Sequence, residues 1–214
     1  MFGTHDLALF IVSGLLLNMA PGPDSLLIMT RSATQGWRAG SAAALGVCSG
    51  TFVHIFAAAL GLSAVLAASA TAFTVVKIVG AAYLLYVGLS LLLGKKNPAA
   101  AVETHIAGSA SLPYRKIFRQ GFLTNVLNPK VALFFLAFVP QFIAPESSNK
   151  ALAFIALGCL FNFNSLLWCH VLVAVAAFAS RRLRVSEAAT RWLNRLVGAL
   201  FVSFGLKLAL TDAH

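Results

Sequence analysis

Two ionisable side chains, Asp24 and Lys130, lie in stretches otherwise suited to the interior of a membrane. Each stands beside a proline-bearing interruption, NMAPGPDS at residues 18–25 and TNVLNPK at residues 124–130. A proline inside a helix removes a backbone donor and clashes with the carbonyl four residues earlier. In hydrocarbon the carbonyls so released need partners from the protein or from a wet cavity. Pro21, Gly22 and Pro23 are therefore expected to open a polar pocket, with a helix restarting near the capping residues Asp24 and Ser25. The second interruption, Asn128 and Pro129, offers another helix start with the cation of Lys130 added. Helix starts favour anions, so the pair suits the carboxylate of an amino acid, and Asp24 suits its ammonium. Asn18, Asn125 and Asn128 add both donors and acceptors.

Plainer roles exist for the same residues: Asp24 as a cap of its own helix, Lys130 as a side chain snorkelling to an interface. Two breaks that each carry an intramembrane charge favour binding or transport, because such charges mark substrate and ion paths. His54 shares a helical face with Gly46 and Gly50 in a small-xxx-small pattern that lets helices pack closely. Histidine can carry protons at cellular pH, which makes His54, with Asp24, a candidate proton relay; the alternative is a plain hydrogen bond to a carbonyl. Asn162 and Asn164 of NFNS, with His170, are expected just outside the binding residues, and Gln141 after Pro140 is a weaker candidate.

The elements that must position these groups follow from composition. The chain is 59% hydrophobic and only 10% charged over 214 residues, too little charge to cover a soluble surface. Residues 39–76, 78–94 and 151–180 contain no Asp, Glu, Lys or Arg, and a span needs about 20 mainly apolar residues. Dividing the longest run at the small, polar AASATA gives six spans, near 7–30, 39–66, 74–94, 117–144, 150–180 and 191–211. No basic residue precedes the first apolar run, as a cleaved signal would require, so the first helix is expected to remain. Twelve of the sixteen Lys and Arg residues, Arg31 and Arg38 among them, fall in connections on one side. The net charge of +10 thus reads as an orientation signal, not as nucleic-acid binding, and places both termini in the periplasm.

The halves resemble each other. Gly14, Asn18 and Pro21 match Gly121, Asn125 and Asn128 at a constant offset of 107, while KIVGA at 77–81 matches RLVGA at 195–199. Three spans per copy is an odd number, so the second copy enters the membrane inverted, the plan of many secondary transporters. The expected fold is an all-α integral membrane protein with six transmembrane helices in two inverted three-helix repeats, helices 1 and 4 broken. Residues 1–94 form the first repeat, 95–116 a cytoplasmic linker and 117–214 the second repeat.

These residues resemble the lysine exporter and homoserine/threonine exporter (LysE/RhtB) family of bacterial inner-membrane carriers. The match rests on PGPDSLLIMTRSATQGWRAG, KIVGAAYLLYVG and FLTNVLNPKVALFFLAFVPQF, and with the hydropathy it covers nearly the whole chain. The resemblance implies amino-acid efflux driven by proton antiport, with no cofactor and no ATP site; no GxxxxGK[ST] pattern is present. It marks Pro21, Gly22, Pro23, Asp24, Asn128, Pro129 and Lys130 as signature positions. Family members that handle other side chains often carry an acidic residue in the second span, where this chain has Gly50 and Thr51. That departure implies a neutral substrate, threonine-like or homoserine-like. The implied partners are a small amino acid, protons and the lipid bilayer, with a homodimer as a possible assembly and no nucleic acid.

Other functions fit less well. A transmembrane thiol–disulfide carrier would use one cysteine per repeat, and Cys48 and Cys159 are nearly repeat-related. Neither adjoins a helix break or charge that would activate it, so Cys48, Cys159 and Cys169 read as packing residues. An intramembrane hydrolase would need a serine joined to a base, and no spacing unites Ser25 or Ser165 with His54 or His170. A divalent-metal exporter would need clustered His or Cys ligands, which the 95–116 linker lacks.

Overall fold

The first interruption is a true break. In a computed structural model, which describes residues 3–20, 22–68, 111–144 and 147–178 and isolated positions in 78–93 and 192–210, α1 (Leu7–Met19) stops two residues before Pro21. Pro21 itself lies outside the described residues. Gly22 then caps α2 (Pro23–Gln35), with a proline at its first position, where the missing N–H costs no helical hydrogen bond. The two helices meet at a bend of 57°.

Gly36, at φ +85°, ends α2 in a conformation that side-chain-bearing residues avoid. It turns the chain into α3 (Trp37–Ala68). The fourth span begins earlier than expected: α4 (Tyr114–Val126) starts inside the proposed linker, whose residues 95–110 lie outside the described set. After the second break, α5 (Pro129–Leu133) runs on through a π-helical turn, Phe134–Phe138, and a 3-10 turn, Val139–Phe142. This pair bends by 47°. Finally α6 (Lys150–Phe178) crosses without interruption.

Among the described residues there are two unbroken helices long and apolar enough to span a membrane, and each bent pair passes the same test, giving up to four spans. Leu45, Phe52, Phe56 and Leu60 on α3, and Phe163, Leu167, Val171 and Val175 on α6, form exposed apolar stripes. Lipid tails can cover such stripes; water cannot do so cheaply. The expected third and sixth spans are described only in part. Their glycines pack closely: a side chain at Gly88 would meet Gly198 O and Val202, and one at Gly205 would meet Ala81 O and Leu85.

Close approach of small residues also governs the centre. A Cβ on Gly46 would collide with the Phe118 carbonyl of α4, and one on Gly121 with the Ala43 carbonyl of α3. Two apolar layers result. One gathers Phe10, Leu17, Phe134, Phe135, Phe138, Phe142, Leu157 and Phe161; the other gathers Leu27, Ile28, Ala39, Ala43, Val47, Ile117, Cys169 and Val173. At the first layer's end, residues 3–5 lie beside 142–144 through a Thr4–Ile143 bridge and a His5 N–H to Phe142 O hydrogen bond of 3.1 Å. At the other end, Gln35 Nε2 donates to Ser111 Oγ at 3.0 Å.

Because overpacking a tight contact costs roughly 1–3 kcal/mol and can prevent folding, Gly121→Val should lower the thermal midpoint of the purified protein in detergent markedly. Gly61→Val, at a position with nothing within 4 Å, should leave it nearly unchanged.

Candidate functional site

Between the apolar layers lies a polar layer built from both breaks. Asp24, in the first turn of α2, does not cap its own helix. Its Oδ2 accepts from Asn125 Nδ2 at 2.9 Å and from Asn128 Nδ2 at 3.0 Å, so it joins the first break to the second. Its Oδ1 is buried without a partner. The helix restarts at Pro23, near Asp24 and Ser25 as expected, but its cap is Gly22 and neither of those side chains caps it. Ser25 is half-buried and takes no part in this layer's hydrogen bonds among the described residues.

Asn128 has two duties. Its Oδ1 accepts the Lys130 backbone N–H at 3.0 Å, capping α5, while its amide nitrogen serves Asp24. Pro129 fills the first position of that helix. Lys130 does not snorkel to an interface. Its ammonium donates to the carbonyls of Ala20 at 3.2 Å and Leu17 at 3.4 Å, the oxygens that the end of α1 leaves without helical donors. A side chain on Gly22 would meet the same ammonium at 3.1 Å, so glycine keeps the route open. Asp24 and Lys130 form no ion pair with each other; among the described residues the one ion pair is His5–Asp6.

A second ring of contacts holds Asn125. Its carbonyl accepts from His54 Nε2 at 2.9 Å, and its Oδ1 lies 3.3 Å from Thr51 Oγ1. A carbonyl can only accept, so the His54 proton on Nε2 is fixed by this bond. The His54 ring also lies parallel to Phe135, with centroids 6.4 Å apart. Gly50 sits against Asn125, where an added Cβ would be 3.1 Å from Oδ1. Positions 50 and 51, where the resemblance looked for an acidic group, thus do face the site. Asn162 donates to Cys48 O at 3.1 Å across α3 and α6, with its Oδ1 unpartnered. Asn18 and Asn164 each keep a buried amide nitrogen without a partner. Gln141 is tied back to Ala137 O, and His170 to Leu166 O at the exposed side of α6.

Sequence reasoning missed two contributors, Arg31 and Gln120. Arg31, counted as a loop charge, lies within α2 and is 3% exposed. Gln120 accepts from it across the two halves at 3.1 Å. The backbone carbonyls of Leu17 and Ala20 are those that the proline break was expected to release, Leu17 standing four residues before Pro21. The spacing of Arg31, seven residues after Asp24 and so on the same helical face, was the clue for the first.

The described residues contain no cluster of His, Cys, Asp and Glu fit for a metal. Cys48 and Cys169 are buried and Cys159 is exposed, all three free. Among the described residues, a layer of hydrogen-bonding groups is enclosed at paired breaks in helices apolar enough to span a membrane, the kind of site that membrane carriers build. The chain belongs to the LysE type translocator family, which matches residues 15–212. It is 35% identical to an uncharacterised membrane protein of Pseudomonas aeruginosa over 97% of this chain and 96% of that one. It is 31% identical to an uncharacterised membrane protein of Bacillus subtilis, over 97% of this chain and all of that one. With a leucine efflux protein of an Enterobacter strain it shares 29% identity over 97% of each chain. No solved structure matches it.

Each hydrogen bond to a charged group contributes about 1.5–3 kcal/mol, and an N-cap about 0.5–2 kcal/mol. Asn128→Ala should therefore destabilise the detergent-purified protein by about 2–5 kcal/mol, the charged bond and the cap together. In an Asp24→Ala background the cost of Asn128→Ala should shrink to that of the cap alone, measured as coupling in a double-mutant cycle.

Proposed function

We propose that this protein exports neutral amino acids across the bacterial inner membrane in exchange for protons, by rocking two inverted halves about the paired breaks. The observation that carries the reading is the bridge from Asp24 to Asn125 and Asn128, a membrane-embedded carboxylate held by the opposite half through neutral donors. Family membership and relatives named as leucine efflux proteins support amino-acid export.

Inverted symmetry draws support from the glycine contacts. Gly88 approaches Gly198 and Val202, and Gly205 approaches Ala81 and Leu85; moving each member of the first set by 117 positions, in opposite directions, produces the second. Reciprocal contacts of this kind are what a two-fold relation between the third and sixth spans requires.

The zwitterion enters between Lys130 and its carbonyl partners. Its ammonium takes the oxygens of Leu17 and Ala20 together with Asp24; its carboxylate takes Lys130 and the N-terminal end of α2. Pro21, Pro23 and Pro129 keep the breaks open, Asn18 and Ser25 line the first, and Asn162 and Asn164 support the layer from α6. A neutral side chain suits the site because Gly50 and Thr51 present no charge to it, while the phenylalanine cluster above it offers apolar contact. A proton then competes with substrate for Asp24, and His54 is the alternative relay.

Efflux of labelled threonine, homoserine, leucine, lysine and arginine from preloaded cells tests this directly. The neutral compounds should leave in a protonophore-sensitive way, the basic ones should not. Lys130→Met should reduce efflux about tenfold or more, the loss of one charged contact. Asp24→Asn should abolish uphill export; if it retains exchange of internal for external substrate, Asp24 carries the proton, and if exchange is lost as well, Asp24 holds the ammonium. Normal export by both variants would refute the site. Orientation is tested by single cysteines at positions 34, 106 and 186 in a cysteine-free background. All three should resist impermeant thiol reagents in intact cells and react in everted membranes.

A further inference from the structure

The face of α2 that carries Asp24 continues through Ile28, Arg31 and Gln35, each three or four residues on. Opposite it α4 runs antiparallel, and the two make a polar seam. Asp24 meets Asn125, Arg31 Nη2 donates to Gln120 Oε1 at 3.1 Å, and Gln35 Nε2 donates to Ser111 Oγ at 3.0 Å and to Leu112 O at 3.3 Å. Arg31 Nη1 also donates to Gln35 Oε1 at 3.2 Å. Seven residues at about 1.5 Å each place Arg31 roughly 10 Å from Asp24, toward the basic end of the bundle.

Arg31 is 3% exposed, and among the described residues no carboxylate pairs with it. Its acceptors are two neutral amides, and its Nε is buried with no partner. A guanidinium at membrane depth is costly unless it serves a path or a pairing, and its fork is matched by the two oxygens of a carboxylate. Here one prong, Nε, is unbonded, and the adjacent prong is held by a side chain of the opposite half.

We propose that Arg31 is a carboxylate-binding residue on the cytoplasmic side of the carrier: when α4 parts from α2, Gln120 leaves Nη2, and the carboxylate of the outgoing amino acid takes the Nε–Nη2 edge before it reaches Asp24 and Lys130. This deepens the export reading and rests on it. The substrate is thereby required to carry a free carboxylate at the inner entrance, and Gln35 and Gln120 act as the closing contacts that stand in for it.

The test uses everted vesicles, in which the cytoplasmic face is outside, loaded through proton-driven uptake of labelled L-leucine and L-threonine, each competed by its own carboxamide. Arg31→Gln should raise KM for the amino acid about 30-fold or more, as for a truncated buried charge contact, and should erase the preference for acid over amide. Arg31→Lys, with the charge but not the fork, should recover part of both. The double variant Gln35→Ala, Gln120→Ala breaks the same seam yet leaves the guanidinium in place, so it should keep the preference. If Arg31→Gln keeps KM and preference, or if the double variant loses them equally, Arg31 is only a strut and the inference fails. If the parent takes up neither amino acid, the export reading itself fails.

Discussion

A helix broken inside hydrocarbon leaves carbonyls and amides that water cannot reach, and each must be answered by some other part of the chain. The architecture of this protein follows from how two such breaks answer each other. The end of α1 exposes the Leu17 and Ala20 oxygens, and Lys130 from the second break supplies the donor. At the end of α4 the Asn125 oxygen accepts the Asn128 N–H at 2.9 Å, and His54 of the unbroken α3 adds a second donor at 2.9 Å. The oxygens freed at the first break are answered from the second, which ties the geometry of the site to the relative position of the two breaks.

The close packing of the bundle serves that exchange. Gly46 and Gly121 let α3 and α4 approach until backbone meets backbone, and Gly50 admits Asn125 beside α3. With bulkier residues there, Asn125 could not reach Asp24 and touch Thr51 and His54 at once. Above the polar layer the phenylalanines stack, Phe134 on Phe161 at 4.5 Å and Phe138 at 5.0 Å; below it, small aliphatic side chains close the other layer. The polar groups are enclosed from both sides, so each hydrogen bond acts in a medium of low dielectric.

Much of this was legible in the residues. Proline and glycine announce a break because their backbone chemistry is local, and the 107-residue offset between Gly14 and Gly121, or Asn18 and Asn125, indicated which two breaks belong together. What local chemistry could not give was direction. Asp24 is a good capping residue by type, yet it faces across the molecule because Gly22 already provides the extended cap and the second break brings two amide donors within reach. Arg31 looked like a loop charge because α2 continues to Gln35, a full turn past the expected end of the span; helix ends set by tertiary contact leave no mark in hydropathy. The π-helical turn at Phe134–Phe138 was equally silent, since nothing in FFLAF distinguishes it from an ordinary helix.

The most consequential detail is that Asp24 and Lys130 avoid one another. A direct ion pair between them would be hard to separate, because breaking a buried pair costs about 3–5 kcal/mol before any substrate gains its contacts. Instead the carboxylate is held by two neutral amides and the ammonium by two neutral carbonyls. Such partners can be traded singly for those of an incoming zwitterion, whose ammonium resembles the lysine it displaces and whose carboxylate satisfies the lysine so released. Trading these contacts for those of a zwitterion would leave the net charge of the layer unchanged, whereas a proton on Asp24 would raise it by one. A carrier that must bind and let go many times needs partners of this moderate strength more than it needs tight ones.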